Sequence, residues 1–415
     1  MRSLDMRTRT KADVRVIDPA DFFERELPSL IRSHGGLATP GATEFGIRPT
    51  SFITPSGSWT LACEGGRLTA SPGSDGRTAI RIGDLDFQDV INDLVTLDIL
   101  RTMERAPLIR GTSDDVEGWW AVLRSLVDGR PMYTRGSVQM LDRNGRDLDL
   151  SRSFTSEDDD AEIGHFLAEA GFLHLSGWFE ADLMAEISVD MDAELAKCTP
   201  DDGSWWGEMS DGSRQPIRIS NFASRSPALR RLMASGAFRR IGQLAPGNFT
   251  VPDGGEALHK PVGVVRGINA LTWHHDCTLG MHSYKCCQIV IGISVTGAGP
   301  GSSQLSVLPG SHRALMPNHR YYPETGFEPR AAPTQTGDVT VHCSCTMHMA
   351  DDPTQYGRRV VYIAVQQPVD EETSKLLEDL QARYRDIGTS AGEADSVSEP
   401  DIVAGKLAGT AGLAG

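Results

Sequence analysis

The hydrophobic period of this chain changes near residue 260, and that change narrows the folds open to it more than any other feature. From about 155 to 245, apolar residues recur three and four apart, as on helices with one buried face. Helices are expected from Ser156 through Ile163, Phe166 and Leu167 to a stop at Gly171, then over 181–197 and 227–244. After 260 the period is two. Segments 262–265, 288–295, 304–308, 338–343 and 359–366 read as strands bounded by Gly and Pro. Several short strands after a block of helices predict an α+β, mainly β unit: an antiparallel sandwich or jelly roll with helices packed outside.

The first 150 residues carry a different pattern. Segments 59–64, 67–71 and 79–82 are short, with Gly65-Gly66 and the 72–76 turn between them, and read as an antiparallel meander. Helical spacing follows over 86–103 and 117–127. The expected organisation is an N-terminal segment 1–35, a small α/β domain 36–141, a polar linker 142–154, a main domain 155–384 and a flexible tail 385–415.

A formal net charge of −16 disfavours nucleic acid, which needs a basic stripe. No run approaches the roughly 18 apolar residues of a membrane helix. The basic N-terminus has no apolar run behind it, so a cytoplasmic location is expected. Seven cysteines, five of them between 277 and 345, are read as reduced thiols on strands. A zinc or iron–sulfur site is disfavoured, because no Cys-x-x-Cys pair is present.

The chemistry concentrates in two places. In Trp273-His274-His275-Asp276, strand alternation puts His274 and Asp276 on one face and His275 on the other. Two histidines and one carboxylate form the facial triad of non-haem Fe(II) sites, which leaves three adjacent metal positions open. By itself, His-x-Asp is more often a polar strand end. A second segment, from Gly337-Asp338 to His348, supplies two distal histidines, His342 and His348. Arg359 stands eleven residues beyond His348, and an arginine can clasp a carboxylate with two prongs. Between these segments, Pro309-Gly-Ser-His312 marks a tight turn after a strand.

From about 155 to 367 these motifs, in this order, resemble the phytanoyl-CoA dioxygenase-like family. The likeness runs from the 170–179 segment through Trp273–Asp276 and Pro309–His312 to Gly337-Asp338, His348 and Arg359. It implies a double-stranded β-helix fold, iron on His274, Asp276 and His348, and Arg359 on the distal carboxylate of 2-oxoglutarate. It further implies O2 as cosubstrate and succinate as a product. Residues 59–111 more weakly resemble a sterol-carrier-protein-2-like domain, which implies an apolar ligand tunnel and an apolar, lipid-like or natural-product substrate.

His342 remains a rival for the third ligand, and His282 and His312 are read as structural. On a regular strand Arg358 points opposite to Arg359. Trp205, Trp206, Asn221, Arg266 and Trp273 are candidates for the substrate pocket, with ordinary packing equally open to each. Three other functions compete with the oxygenase. A halogenase would need a small residue in place of Asp276. A cupin-type isomerase would have no use for Arg359. A lipid carrier with an inactive oxygenase domain would not need the intact triad.

Overall fold

A computed structural model describes residues 9–245, 254–267, 270–276, 288–317 and 327–383. The tail 385–415, His282, Cys277, Cys286 and Cys287 lie outside the described residues.

The first unit is a five-stranded sheet of β1 (Thr50–Thr54), β2 (Gly57–Glu64), β3 (Arg67–Pro72), β4 (Thr78–Arg81) and β5 (Leu108–Arg110). Its order is β3-β2-β1-β4-β5, and β1 runs parallel to β4. The helices Leu27–Glu44 and Ser113–Asp128 belong to this unit. The expected boundary at 35/36 therefore falls inside a helix. The expected helix 86–103 is two helices, Asp84–Ile91 and Leu97–Thr102. Asp93 at φ +62° breaks the first, and the Thr96 side chain caps the second by accepting from the Ile99 N–H. Five aromatic rings pack the interior: Phe22, Phe23, Phe52, Trp59 and Phe87, with Phe23 stacked on Trp59 at 4.9 Å between centroids. An apolar tunnel was expected in this unit; these rings occupy its core. The helix Glu371–Arg383, expected in the main domain, packs here instead. Leu377 and Leu380 enter the first unit's core, and Arg383 pairs with Asp89 at 2.5 Å.

The second unit opposes two antiparallel sheets. The larger contains β6 (Phe172–Leu175), β7 (Trp205–Met209), β8 (Arg214–Ile219), β9 (Glu256–Lys260), β10 (Val264–Arg266), β12 (Gln288–Ser294), β15 (Val339–Cys343) and β17 (Arg358–Gln366). The smaller contains β11 (Leu271–His274), β13 (Leu305–Val307), β14 (Arg330–Ala332) and β16 (His348–Ala350). The orders are β10-β7-β8-β9-β17-β12-β15-β6 and β11-β16-β13-β14. This is the expected jelly roll with flanking helices.

Alternation along the central strands determines where chemistry can occur. Ile289, Ile291, Ile293, Val339, Val341, Val361, Ile363 and Val365 face the helices Asp160–Ala170 and Ala181–Leu195, packing on Ile163, Phe166, Leu167, Met184, Ile187 and Met191. Each such side chain, fully buried, contributes roughly 1.5–3 kcal/mol. The opposite face of the same strands looks into the space between the sheets.

The 142–154 stretch is no free linker. Leu141 bridges to Asp147, and Phe154 is wholly buried, with its N–H donating to the His174 carbonyl at 2.9 Å. No helix among the described residues is long and apolar enough to cross a membrane.

Candidate metal centre

Two paired strands bring the distant motifs together. His274 on β11 stands opposite His348 on β16, so both side chains project from the same face. Their ring centroids are 4.1 Å apart. Asp276 follows two residues after His274, and its N–H donates to the Ser344 carbonyl at 2.9 Å. The Asp276 Oδ1 then lies 3.6 Å from His274 Nε2 and 3.7 Å from His348 Nε2. The ligand atoms of His274, Asp276 and His348 all lie within 4.8 Å of one another.

Local chemistry fixes His348. The Nδ1–H of His348 donates to the Thr346 carbonyl at 2.8 Å, which leaves the Nε2 lone pair for a metal. The Pro309–His312 turn holds the strand that carries His348. Ser311 Oγ accepts the Met347 N–H at 2.8 Å and donates to the Leu308 carbonyl at 2.7 Å. The Gly310 φ of +76° allows that turn. His312 itself is structural. Its Nε2–H donates to the Ala168 carbonyl, and burial pushes its pKa down to about 4. Asp338, the motif's acid, closes a sheet edge by accepting from His174 and from the Gly177 and Gln335 N–H groups. The largest single influence on its carboxyl is burial, which raises it. The hydrogen bonds outweigh that, and the net shift is downward.

The rival histidine is part of the same cluster in a different role. His342, on β15, is buried and directs its Nε2–H to the Asp276 Oδ2 at 3.2 Å, with its ring 4.2 Å from that of His348.

A cavity opens beside these groups. It is lined by His274, Asp276, His342 and His348, by Arg218, Glu256 and Tyr362, and by apolar side chains that include Leu258, Leu271, Val290, Leu305 and Ala364. Arg218 projects from β8 on the face opposite Ile217 and Ile219, pairs with Glu256, and lies 4.1 Å over the Trp205 ring. Burial pushes Arg218 down to about 10, partly offset by the charge of Asp276.

Arg359 requires a correction. It was expected inside the barrel, but its guanidinium points to the helix layer and pairs with Ser188 Oγ at 2.7 Å and Asp192 at 2.6 Å. Alternation along the strand runs opposite to the expectation: Arg358 shares the inner face with Tyr362 and Ala364, which line the cavity, and Arg359 shares the outer face with Val361 and Ile363. Arg358 is 1% exposed, and donates to the Ser303 carbonyl at 2.7 Å and to Tyr362 Oη at 3.4 Å. It has no carboxylate partner among the described residues.

The other candidates divide. Trp205 reaches the cavity through Arg218, whereas Trp206 donates to Ser204 Oγ at 3.0 Å. Asn221 is exposed at a helix start with φ +51°. Arg266 lies at the surface, 3.9 Å from Glu208. Trp273 packs behind the metal strand against the cluster of Tyr133, Leu308, Phe327 and Met347. Cys345, expected as a thiol, is disulfide-bonded. Sequence reading missed Arg218 and Glu256, because Arg214–Ile219 and Glu256–Lys260 are not among the strands expected from the hydrophobic period.

No protein-family model matches this chain, and no curated protein matches it. Among solved structures, it is similar to EctD from S. alaskensis with 2-oxoglutarate and 5-hydroxyectoine, at 19% identity and TM-score 0.43 over 57% of this chain and 86% of that one. It is also similar to AviO1 from Streptomyces viridochromogenes Tue57, at 19% and 0.41 over 51% and 96%. A third is the epimerase SnoN in complex with Fe3+, alpha-ketoglutarate and nogalamycin RO, at 15% and 0.41 over 52% and 88%.

Proposed function

We propose that this chain is a non-haem Fe(II)- and 2-oxoglutarate-dependent oxygenase acting on a small molecule. One observation carries the reading: two imidazole nitrogens and one carboxylate oxygen converge at the wall of a cavity. That donor set suits Fe(II) and occupies three positions, leaving three for other ligands. Bound there with 2-oxoglutarate and O2, the iron would supply oxidation of an unactivated C–H, with release of succinate and CO2.

His274, Asp276 and His348 hold the metal. Arg358, rather than Arg359, takes the distal carboxylate of 2-oxoglutarate. A buried cation without an anionic partner is costly, and the cosubstrate is the natural partner. Lys260, the cross-strand neighbour of Arg358, is also buried and donates to Ser303 Oγ at 3.0 Å, so a second cationic side chain stands at the same end of the barrel. The apolar walls seat the carbon skeleton of the substrate and keep water from the reacting centre. The Arg218–Glu256 pair offers it one polar contact.

The test is anaerobic titration of 2-oxoglutarate into Fe(II)-loaded protein, followed by the metal-to-ligand charge-transfer band. Arg358→Ala is expected to weaken binding about 30- to 1000-fold, the equivalent of roughly 2–4 kcal/mol for a buried charge-assisted contact. Arg359→Ala is expected to leave it unchanged. No band in the unaltered protein sinks the cosubstrate assignment.

A further inference from the structure

The two oxygens of the Asp276 carboxylate have different neighbours. Oδ1 faces the Nε2 atoms of His274 and His348 at 3.6 and 3.7 Å. Oδ2 is held by His342 Nε2 at 3.2 Å. A carboxylate accepts only, so His342 carries its proton on Nε2. Its Nδ1 is buried and has no hydrogen-bond partner among the described residues, as suits a bare lone pair. The imidazole is therefore held by a single polar contact, reinforced by packing against the His348 ring at 4.2 Å. Strand pairing fixes its direction. His342 stands between Phe172 and Val290, and Val290 lines the cavity. The Asp276 backbone is tied to the same strand end at Ser344. Both ends of this ligand thus rest on one short stretch of chain.

We propose that His342 is a positioning residue that restricts Asp276 to one-oxygen coordination of the metal. The inference rests on the Fe(II) reading above. Its consequence is a count of positions. With one aspartate oxygen bound, a six-coordinate ion keeps three free positions, enough for a chelating oxo-acid and O2 together. If Oδ2 also bound, only two would remain, and chelation would fill both. A neutral donor such as imidazole engages Oδ2 without adding charge next to the ion. The same contact argues against His342 as a fourth ligand, because its Nε2 is committed to Asp276.

The experiment compares His342→Phe, which keeps a ring without the donor, with His342→Gln, which keeps an N–H donor. Co(II) affinity is read by anaerobic equilibrium dialysis, and coordination by the cobalt d–d spectrum. Thermal melting confirms that both variants are folded. His342→Phe is expected to bind Co(II) about 10- to 100-fold more weakly, as with other residues that orient metal ligands, and to show an altered d–d spectrum. His342→Gln is expected to restore both. Loss of cobalt from His342→Phe as complete as from His274→Ala would make His342 a ligand and overturn the proposal. Unchanged affinity and spectrum in His342→Phe would also overturn it, leaving only packing. The cobalt readout does not use 2-oxoglutarate, so failure of the cosubstrate reading is seen separately as a missing charge-transfer band.

Discussion

At the scale of single residues, a buried neutral histidine ties stability to pH. His312 is the clearest case outside the metal site. Its folded pKa of about 4 lies below the ordinary 6.5, so between these values the unfolded chain binds more protons than the folded one. Stability contributed by its neutral form is present above pH 6.5 and is lost as pH falls toward 4. The loss amounts to about 3 kcal/mol once pH is below both values. Melting temperature is expected to fall across this window, and His312→Asn is expected to flatten the slope. An unchanged slope in that variant would assign the acid sensitivity elsewhere. Arg359 provides a contrast. Its pair with Asp192 is partly exposed, so its removal is expected to cost less than about 1 kcal/mol in thermal unfolding.

At the scale of elements, turns position the metal strands. Gly337 has φ +87°, and a Cβ there would come within 2.1 Å of the Phe179 carbonyl oxygen, so β15 can begin only with glycine before Asp338. The Ser311 hydroxyl does comparable work for β16. Ser311→Ala leaves the buried Met347 N–H without its acceptor, at a cost of about 1–3 kcal/mol. Met347 precedes His348, so the variant is also expected to bind Co(II) more weakly than the unaltered protein. A lowered melting temperature with unchanged cobalt affinity would show that the turn stabilises the fold without orienting the ligand.

At the scale of the molecule, the first unit braces the second. Tyr133 donates its hydroxyl to the Pro309 carbonyl at 2.8 Å, and burial pushes its pKa up to about 12. Met132 bridges to Leu315, and Arg130 donates to the His312 carbonyl at 2.9 Å. Phe45 from the first unit and Trp273 from the metal strand pack on the same cluster, which includes Met347. The residues just before His274 and His348 are thus supported from behind by the N-terminal unit. The connecting stretch is pinned by Phe154, so brief trypsin treatment of the native protein is expected to spare Arg143, Arg146 and Arg152. Rapid cleavage there into two stable fragments would show that the units fold independently.

What the sequence by itself determined was local. Alternation placed His274 and Asp276 on one face, and the period change near 260 marked only the later strands of the sandwich, since β6, β7, β8 and β9 of the same sheet precede it. Turn chemistry marked 309–312 and 337–338. The phase of β17 was not local. Arg358-Arg359-Val360-Val361 pairs like with like, so alternation is silent over its first four residues. Only Tyr362-Ile363-Ala364-Val365 distinguishes the faces, with the β-branched residues packed on the helices. Pairing with β9 and β12 fixes that phase and turns Arg358 inward. The inward Arg218 and Glu256, the commitment of His342 to Asp276 and the return of the last helix to the first unit likewise depend on partners far along the chain. Burial of a charged face is a property of the two sheets together, and no single strand's pattern encodes it.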